Sequence, residues 1–332
     1  MITDAPSSHV KYPNRLSLLI NSPRDDAMPD MLIIFNPFSN RGDSKHTIDS
    51  VLQNLSKSKL DFEVKLTKGR RHAIELAREA ADAGVPVVVA AGGDGTVNEV
   101  ANGILLSAKG QEGVPPTTMG VLPMGSGNDF AWGLGIRNGV EEAVDRLKRG
   151  HAKVIDVAWA EFDNAPPRFF VNMLGCGFDA RVNIEAHKIQ RLRGFAIYLA
   201  AVLKTLWVYF EKPPVRLRID EKTLETPAFI TFVANGPRLG GGFLATPQAR
   251  QDDGLLDLCI ATDIHRREVG PLIPKLMKGK HIDHPKIIMD RTRSVTIESD
   301  HPLPCQADGE TIGENLHLIR IVTIPQRLRV IV

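Results

Sequence analysis

Two aspartates lie in glycine-rich turns of the kind that bind phosphate, where a Walker-type loop would carry a lysine. Asp94 lies in "VVVAAGGDGTVNEVANGI" (87–104), which runs from an apolar strand pattern into a helix, and Asp129 follows in "PMGSGNDFA" (123–131). Glycines let the backbone approach a ligand, and N–H groups at a helix start attract anions. Carboxylates beside them indicate triphosphate chemistry with magnesium, held directly or through water. Asn128 or Asp129 could instead be no more than a helix N-cap.

Two further turns carry polar groups. In "NPFSNRG" (36–42), Asn36 and Ser39 can hydrogen-bond the backbone or a nucleotide, and Arg41 offers a donor fork for phosphate. "QADGE" (306–310) is acidic, and a positioned carboxylate helps an alcohol attack phosphorus by accepting its proton. Each turn also has an ordinary interpretation, the first as a strand-to-helix connection and the second as a hairpin.

The elements that must position these turns change character along the chain. From residue 31, strand and helix patterns alternate, which predicts a parallel sheet with helices on both faces and ligands at the carboxyl ends of the strands. After Gly150, short strands punctuated by Gly, Pro and Asp predict an antiparallel, β-rich sandwich, interrupted by helices over about 183–210 and in "REVGPLIPKLMKGK". We expect the boundary near residue 152, with the last strand free to return to the first domain.

The composition is that of a globular protein. The 332 residues are 43% hydrophobic and 24% charged with a formal net charge of +2, which gives no argument for nucleic-acid binding. Three widely separated cysteines lack the spacing of a zinc site or disulfide framework and favour a reducing cytoplasm. Residues 1–28 are predicted to form a disordered leader. The apolar stretch 194–210 is too short to span a membrane. We therefore expect a cytoplasmic protein, soluble or peripheral on the membrane surface.

The ordered set "NPFSNRG", "GGDGTVNEVANGI", "PMGSGNDFA" and "DGE" resembles the diacylglycerol kinase catalytic-domain family, which includes bacterial lipid kinases, sphingosine kinases and ceramide kinases. The likeness extends from residue 31 to 332. It implies an α/β nucleotide domain similar to that of NAD kinases and phosphofructokinases (29–152), followed by a β-rich domain (153–332). The active site would lie in the cleft between them.

The resemblance also implies roles for individual residues. Asp308 would be the general base toward the lipid hydroxyl, with Glu310 beside it. Ser126 stands where the family often has threonine, which keeps the hydroxyl. The residues implied for ATP binding are Asn36, Thr67, Gly92, Gly93, Asp94, Gly95, Thr96, Val97, Asn98, Glu99 and Ser126.

Two magnesium sites follow from the same resemblance. Asp94, Asp129 and Asp156 would organise the catalytic ion, mostly through water. In "ARQDDGLLDL", the Asp253 carboxylate with the carbonyls of Arg250 and Leu255 would hold a second, structural or regulatory ion. A plain strand-entry turn is the alternative there.

The acceptor side is less defined by the sequence. In "HKIQRLRGFAIYLAAVLKTLWVYFEK", basic residues precede an apolar, aromatic stretch, which suits either a membrane-surface helix or a core helix packed on the sheet. The "NGPRLGGGF" turn (235–243) is a candidate wall of the acceptor cleft, or a plain loop.

We expect an ATP- and magnesium-dependent kinase that converts diacylglycerol to phosphatidic acid. An NAD kinase-type phosphotransferase and a non-catalytic nucleotide- or lipid-binding module are the alternatives. The partner is a membrane lipid and no nucleic acid is expected, while the choice between a monomer and a homodimer stays open.

Overall fold

The computed structural model describes residues 28–42, 44–57, 60–111, 113–189, 192 and 195–332. The leader predicted to be disordered lies outside this part of the chain, apart from Met28. Arg191 and Arg193, two of the basic residues considered for membrane contact, also lie outside it, as does the side chain of Arg41.

The first half of the chain forms a parallel sheet with intervening helices, as its alternating pattern predicts. Its strands lie in the order β4, β3, β1, β2, all parallel. β1 is buried at every position, as expected for a central strand covered on both faces. The strands are β1 (Met31–Phe35), β2 (Phe62–Leu66), β3 (Val87–Gly92) and β4 (Thr118–Pro123). The helices are α1 (Ser44–Ser56), α2 (His72–Ala83), α3 (Asp94–Leu105), α4 (Asp129–Gly133) and α5 (Gly139–Arg149).

The second half is rich in antiparallel strands, which confirms the predicted change of fold class. The strands are β5 (Ala152–Phe162), β6 (Arg168–Phe170), β7 (Met173–Gly177), β8 (Pro214–Ile219), β9 (Lys222–Pro227), β10 (Ile230–Ala234), β11 (Leu256–Ala261), β12 (Ile287–Thr292), β13 (Ser294–Ala307) and β14 (Glu310–Ile331). The helices are α6 (Phe178–Lys188), α7 (Phe195–Val208) and α8 (Arg266–Met277).

The long strand β14 connects the two halves. It pairs antiparallel with β13 and β5, and near its end Val330 lies parallel beside Met119 of β4. The described strands therefore belong to one sheet of 14 strands. The turn between β13 and β14 faces the ends of the parallel strands, which creates the cleft described below. The domain boundary near residue 152 stays a prediction.

Helix α7 has two different faces. Ile197 and Ala201 are buried against α6 and the sheet, as in a core helix, whereas Leu203, Trp207 and Val208 are 56%, 79% and 54% exposed. Its 14 residues are too few to cross a bilayer, and within the described part of the chain we find no helix that is long and apolar enough to do so.

Candidate active site

A cavity of about 670 Å³ lies between the parallel and antiparallel parts of the sheet. It brings together the four turns singled out in the sequence: three follow parallel strands, which end at the same edge of a sheet, and the fourth is the turn between β13 and β14. The predicted site residues that line it are Asn36, Thr67, Gly93, Asp94, Gly95, Thr96, Glu99, Ser126, Asp308 and Glu310.

The turn before α3 depends on glycine because two turns touch there. A Cβ on Gly92 would lie 2.5 Å from the Thr96 hydroxyl oxygen, and a Cβ on Gly125 would lie 2.3 Å from the Gly93 Cα. The Asn36 amide donates to the Thr96 hydroxyl at 3.0 Å and ties β1 to the same turn. The cleft floor therefore presents the start of α3, whose N–H groups suit a phosphate.

The turn before α4 is closed by Asn128. Its backbone is left-handed (φ 55°), its side-chain oxygen accepts from the Gly125 N–H at 2.8 Å, and its amide donates to the Gly125 carbonyl at 2.9 Å. These bonds fold the turn that carries Ser126 into the cleft. Asn128 occupies the N-cap position of α4 but makes no side-chain cap bond, so the N-cap interpretation does not describe what its side chain does.

Asp94 and Asp129 form a carboxylate pair on either side of Gly127. A Cβ on Gly127 would lie 2.8 Å from Asp94 Oδ2 and 3.0 Å from Asp129 Oδ2. Asp129 also lies 2.8 Å from the Arg238 Nε and accepts from the Gly241 N–H at 3.0 Å. Burial raises the pKa of both carboxyls, and the negative charge of Asp94 helps to raise the pKa of Asp129 to about 7.

Asp94 is the better placed of the two to hold a magnesium ion, because it lines the cavity, whereas Asp129 Oδ1 lies against the Arg238 Nε and both Asp129 oxygens accept the Gly241 N–H. Two carboxylate oxygens converge on a space that only glycine leaves open, and a cation there would relieve the desolvation and repulsion that raise both pKa values. Arg238 compensates part of the charge of Asp129, and the Phe130 N–H donates to Asp94 Oδ1 at 3.0 Å, so both carboxylates also have partners within the protein.

Asp308 is 5% exposed and accepts four N–H bonds. Oδ1 accepts from the backbone of Asn172 and Met173, and Oδ2 accepts from the backbone of Val171 and the amide of Asn98, at 2.7 to 3.0 Å. Burial raises its pKa to about 6 despite these bonds. The carboxylate is thus held rigidly at the cleft with both oxygens engaged.

Glu99 and Glu310 lie together at the cleft wall. The Glu99 carboxylate accepts from the backbone N–H groups of Arg71 and Ala73, at 2.8 and 3.1 Å, which anchors the start of α2. Burial and the charge of Glu310 raise the pKa of Glu99. Glu310 pairs with the Arg168 guanidinium at 2.9 Å. Glu99 therefore shapes the cleft through the backbone of α2.

Three other predicted nucleotide residues lie behind the cleft surface. Gly92 ends β3, Val97 is packed in the core of the first half, and Asn98 points toward Asp308. Asn98 is only 2% exposed. Their role in the structure is to build the turn and to hold Asp308.

Asp156 lies on β5, away from the Asp94 and Asp129 pair. Its carboxylate accepts from the Gly254 N–H at 2.6 Å and from the Gln326 N–H at 2.7 Å. It thus fixes the loop before β11. The structure places it with the residues predicted for the second magnesium ion and not with Asp94 and Asp129, as the resemblance implied.

The residues predicted for that second ion do not fit a metal as they are placed. The Arg291 guanidinium donates to Asp253 Oδ2, and Asp253 Oδ1 accepts from the Leu255 N–H at 3.2 Å. Both oxygens are engaged, one of them by a permanent cation. Arg250 directs its side chain to Asp252.

Sequence reasoning missed Arg238 and Arg168. Arg238 belongs to the "NGPRLGGGF" turn, and its pairing with Asp129 holds that turn against the turn of Ser126 and Gly127. Glycines on both sides of an arginine were the available signal for Arg238. Arg168 precedes its partner Glu310 by 142 residues, so a local sequence pattern could not predict this ion pair.

A second, apolar cavity of about 100 Å³ lies between α6, α7, α8 and the sheet. Val202, Phe229, Phe243 and Leu272 are among its walls. Tyr198 lines both this cavity and the cleft, so the two spaces are neighbours.

Comparisons with known proteins agree with this architecture. The family model described as "Diacylglycerol kinase catalytic domain" matches residues 30–160, and the one described as "YegS C-terminal NAD kinase beta sandwich-like domain" matches residues 172–332. The chain is 34% identical over 253 residues to "Probable lipid kinase YegS-like" of Chromohalobacter salexigens, covering 74% of this chain and 76% of that protein. It is 28% identical over 284 residues to "Diacylglycerol kinase" of Staphylococcus carnosus, covering 85% and 89%.

The fold is also that of a solved structure. A diacylglycerol kinase from Bacillus anthracis superposes with a TM-score of 0.68 at 24% identity, over 92% of this chain and 98% of that one. The fold class and the family resemblance predicted from the motifs are thereby confirmed. With both halves matched in order, this chain belongs to the diacylglycerol kinase catalytic-domain family and is a lipid kinase.

Proposed function

We propose that this chain transfers the γ-phosphoryl group of ATP to a hydroxyl group of a membrane lipid with the help of Mg²⁺, and that diacylglycerol is converted to phosphatidic acid. One observation carries the proposal. Two glycine turns, Asp94 and Asp308 converge on one cleft, with Asp129 buried beside Asp94, and that cleft adjoins an apolar cavity through Tyr198.

The nucleotide would lie on the glycine turns. The start of α3 offers backbone N–H groups to the phosphate oxygens, and Ser126 adds a hydroxyl from the neighbouring turn. Arg70 and Arg71 line the same cavity from the start of α2 and add positive charge at its rim. Thr67 lies beside them at the end of β2.

Asp94 would hold the magnesium ion, with the charge of Asp129 beside it, and the ion would neutralise the phosphate oxygens when it is bound. Arg238 crosses from the second half to Asp129 and also donates to the Gly127 carbonyl at 3.1 Å. It thereby fixes the spacing of the pair and ties the acceptor wall to the nucleotide turns.

Asp308 would accept the proton of the lipid hydroxyl as the new bond from the lipid oxygen to phosphorus forms. The bond between phosphorus and the bridging oxygen breaks, and ADP leaves. Because both Asp308 oxygens are engaged, one donor must be released first. Three donors are backbone N–H groups, so the Asn98 amide is the one that can turn away by side-chain rotation. A pKa of about 6 leaves the carboxylate ionised at neutral pH yet basic enough to accept a proton.

The lipid chains would enter through the second half. The inner face of α7 contributes Tyr198 and Val202 to the apolar cavity, while its outer face exposes Leu203 and Trp207. An exposed tryptophan beside Lys204 suits the headgroup level of a bilayer. These features support peripheral contact with the membrane.

The direct test is incubation with γ-labelled ATP and Mg²⁺ and either diacylglycerol micelles or NAD. We expect label on diacylglycerol. Label on NAD alone would contradict the proposal in favour of an NAD kinase-type reaction. ATP binding without label on either acceptor or on other lipid alcohols would favour a non-catalytic module.

A further inference from the structure

The loop that precedes β11 is held by an arginine from the next strand. β11 and β12 are antiparallel neighbours in which Arg291 lies opposite Asp257. The Arg291 Nη2 donates to Asp253 Oδ2, and the Arg291 Nε lies 3.6 Å from Asp257 Oδ1. One guanidinium therefore lies against two carboxylates of the segment 253–257.

A metal ion bound by Asp253 would have to take an oxygen that Arg291 or the Leu255 N–H already occupies. Mg²⁺ requires oxygen ligands in close, near-octahedral contact, so it cannot share the Asp253 oxygen with a guanidinium nitrogen. Arginine remains charged at every physiological pH, so the competing cation is permanent. The other Asp253 oxygen is also engaged, by the Leu255 N–H.

The loop is fixed by bonds that require no metal. Gly254 has a left-handed backbone (φ 74°), and its N–H donates to Asp156. The Asp156 N–H in turn donates to the Gln251 carbonyl at 2.7 Å. β5 thus holds the loop from one side and β12 holds it from the other, through Arg291.

We propose that Arg291 takes the place of the second magnesium ion in this chain, so that the loop 250–255 is held by a guanidinium and binds no metal. Asp257 Oδ2 is buried and, within the described part of the chain, has no hydrogen-bond partner. Removal of the guanidinium would leave Asp253 and Asp257 close together without a cation, and such a pair is suited to a divalent ion.

The test compares Arg291→Met with wild type as full-length proteins. Arg293→Met is the matched control, because Arg293 is also exposed and lies two residues away. Melting temperatures are measured against increasing MgCl₂, with NaCl at equal ionic strength as the reference. Mn²⁺ binding without nucleotide is counted by electron paramagnetic resonance of the free ion.

We expect the metal-free Arg291→Met protein to melt a few degrees below wild type, while Arg293→Met does not. Mg²⁺ should restore most of this loss, and Arg291→Met should bind one more Mn²⁺ than wild type. Both gains should vanish when Asp253→Asn is added. Arg291→Lys keeps a positive charge and should stay insensitive to Mg²⁺, which provides a folded comparison if the methionine variant fails to fold.

Two results would contradict the proposal. The proposal is overturned if wild type shows a saturable Mg²⁺ stabilisation, or a bound Mn²⁺, that Asp253→Asn alone removes. It is also overturned if Arg291→Met and wild type respond identically to both ions. Neither readout depends on catalytic activity, so failure here would leave the proposed kinase reaction untouched.

Discussion

Replacing Asp308 with asparagine tests whether the carboxylate acts as the general base or only stabilises the fold. An asparagine keeps one carbonyl oxygen for one pair of N–H donors but turns an NH₂ group toward the other pair. Up to two hydrogen bonds to a charged acceptor are lost, at about 1.5–3 kcal/mol each. The loss of a general base should lower kcat by about 10²- to 10⁴-fold.

The cost in stability is offset by the removal of a buried charge. The pKa of Asp308 rises from 3.8 to about 6 in the folded protein. This raised pKa means that ionisation of Asp308 costs the native state on the order of 3 kcal/mol at neutral pH. Because burial outweighs the hydrogen bonds in setting this pKa, loss of the charge does not by itself destabilise the native state, and we expect the variant to fold and to lose at most about 3 kcal/mol, the value of one hydrogen bond to a charged group.

The assay measures phosphatidic acid formation, ATP binding and thermal unfolding on the same preparation. Asp220→Asn is the matched control. Asp220 and Asp308 both have a left-handed backbone (φ 48°), and the Asp220 carboxylate accepts the N–H groups of Arg293 and Ser294 in a turn remote from the cleft. We expect both variants to bind ATP and only Asp308→Asn to lose turnover. Full turnover in Asp308→Asn would refute the assignment of the base, and loss of ATP binding would show that Asp308 acts through the fold.

The raised pKa of Asp308 predicts that both activity and stability depend on pH. Because the base works only when ionised, kcat/KM of the wild type should rise with pH through about 6 and then level off. The folded pKa is raised, so the contribution of Asp308 to stability is fully present below about 3.8 and is lost as the pH rises through about 6. Asp308→Asn should lack this component in both profiles, and an unchanged acid limb in its residual activity would contradict the assignment.

Two further changes test the metal and the membrane. Asp94→Ala should lower turnover by about 10²-fold or more. The melting temperature should shift by only a few degrees, since the change also removes the repulsion between Asp94 and Asp129. An unaffected rate would exclude Asp94 from metal binding. Trp207→Ser should weaken co-sedimentation with diacylglycerol vesicles while turnover on detergent micelles is kept. Val322→Ser, at an apolar side chain 42% exposed on β14, is its control. Equal vesicle binding by both variants would argue against α7 as the contact surface.

Most of the fold was predictable from local patterns. The alternation of apolar strands and amphipathic helices from residue 31 is a local signal, and so are the Gly and Asp punctuations of the second half. The return of β14 to β4 was only an open alternative, because strand pairing over two hundred residues leaves no trace in the hydrophobic period of either strand.

The candidate site, like the fold, could be predicted from the sequence only in part. The glycine turns around Asp94 and Ser126 could be identified because close backbone approach restricts the residue type at the turn itself. The surroundings of Asp308 could not, since its donors lie 135 to 210 residues away in sequence. The pairing of Arg238 with Asp129 and of Arg291 with Asp253 is equally invisible in either local segment.

The sequence by itself determined the order of the motifs, the change from parallel to antiparallel strands and the types of residue available for phosphoryl transfer. These follow from backbone conformation and hydrophobic periodicity, which act over a few residues. The tertiary structure alone decided which carboxylates face the cleft, which are already neutralised by an arginine and which merely hold a loop, as Asp156 does. Charge and hydrogen bonding depend on which groups the folded chain brings within a few ångströms, whatever their separation in sequence.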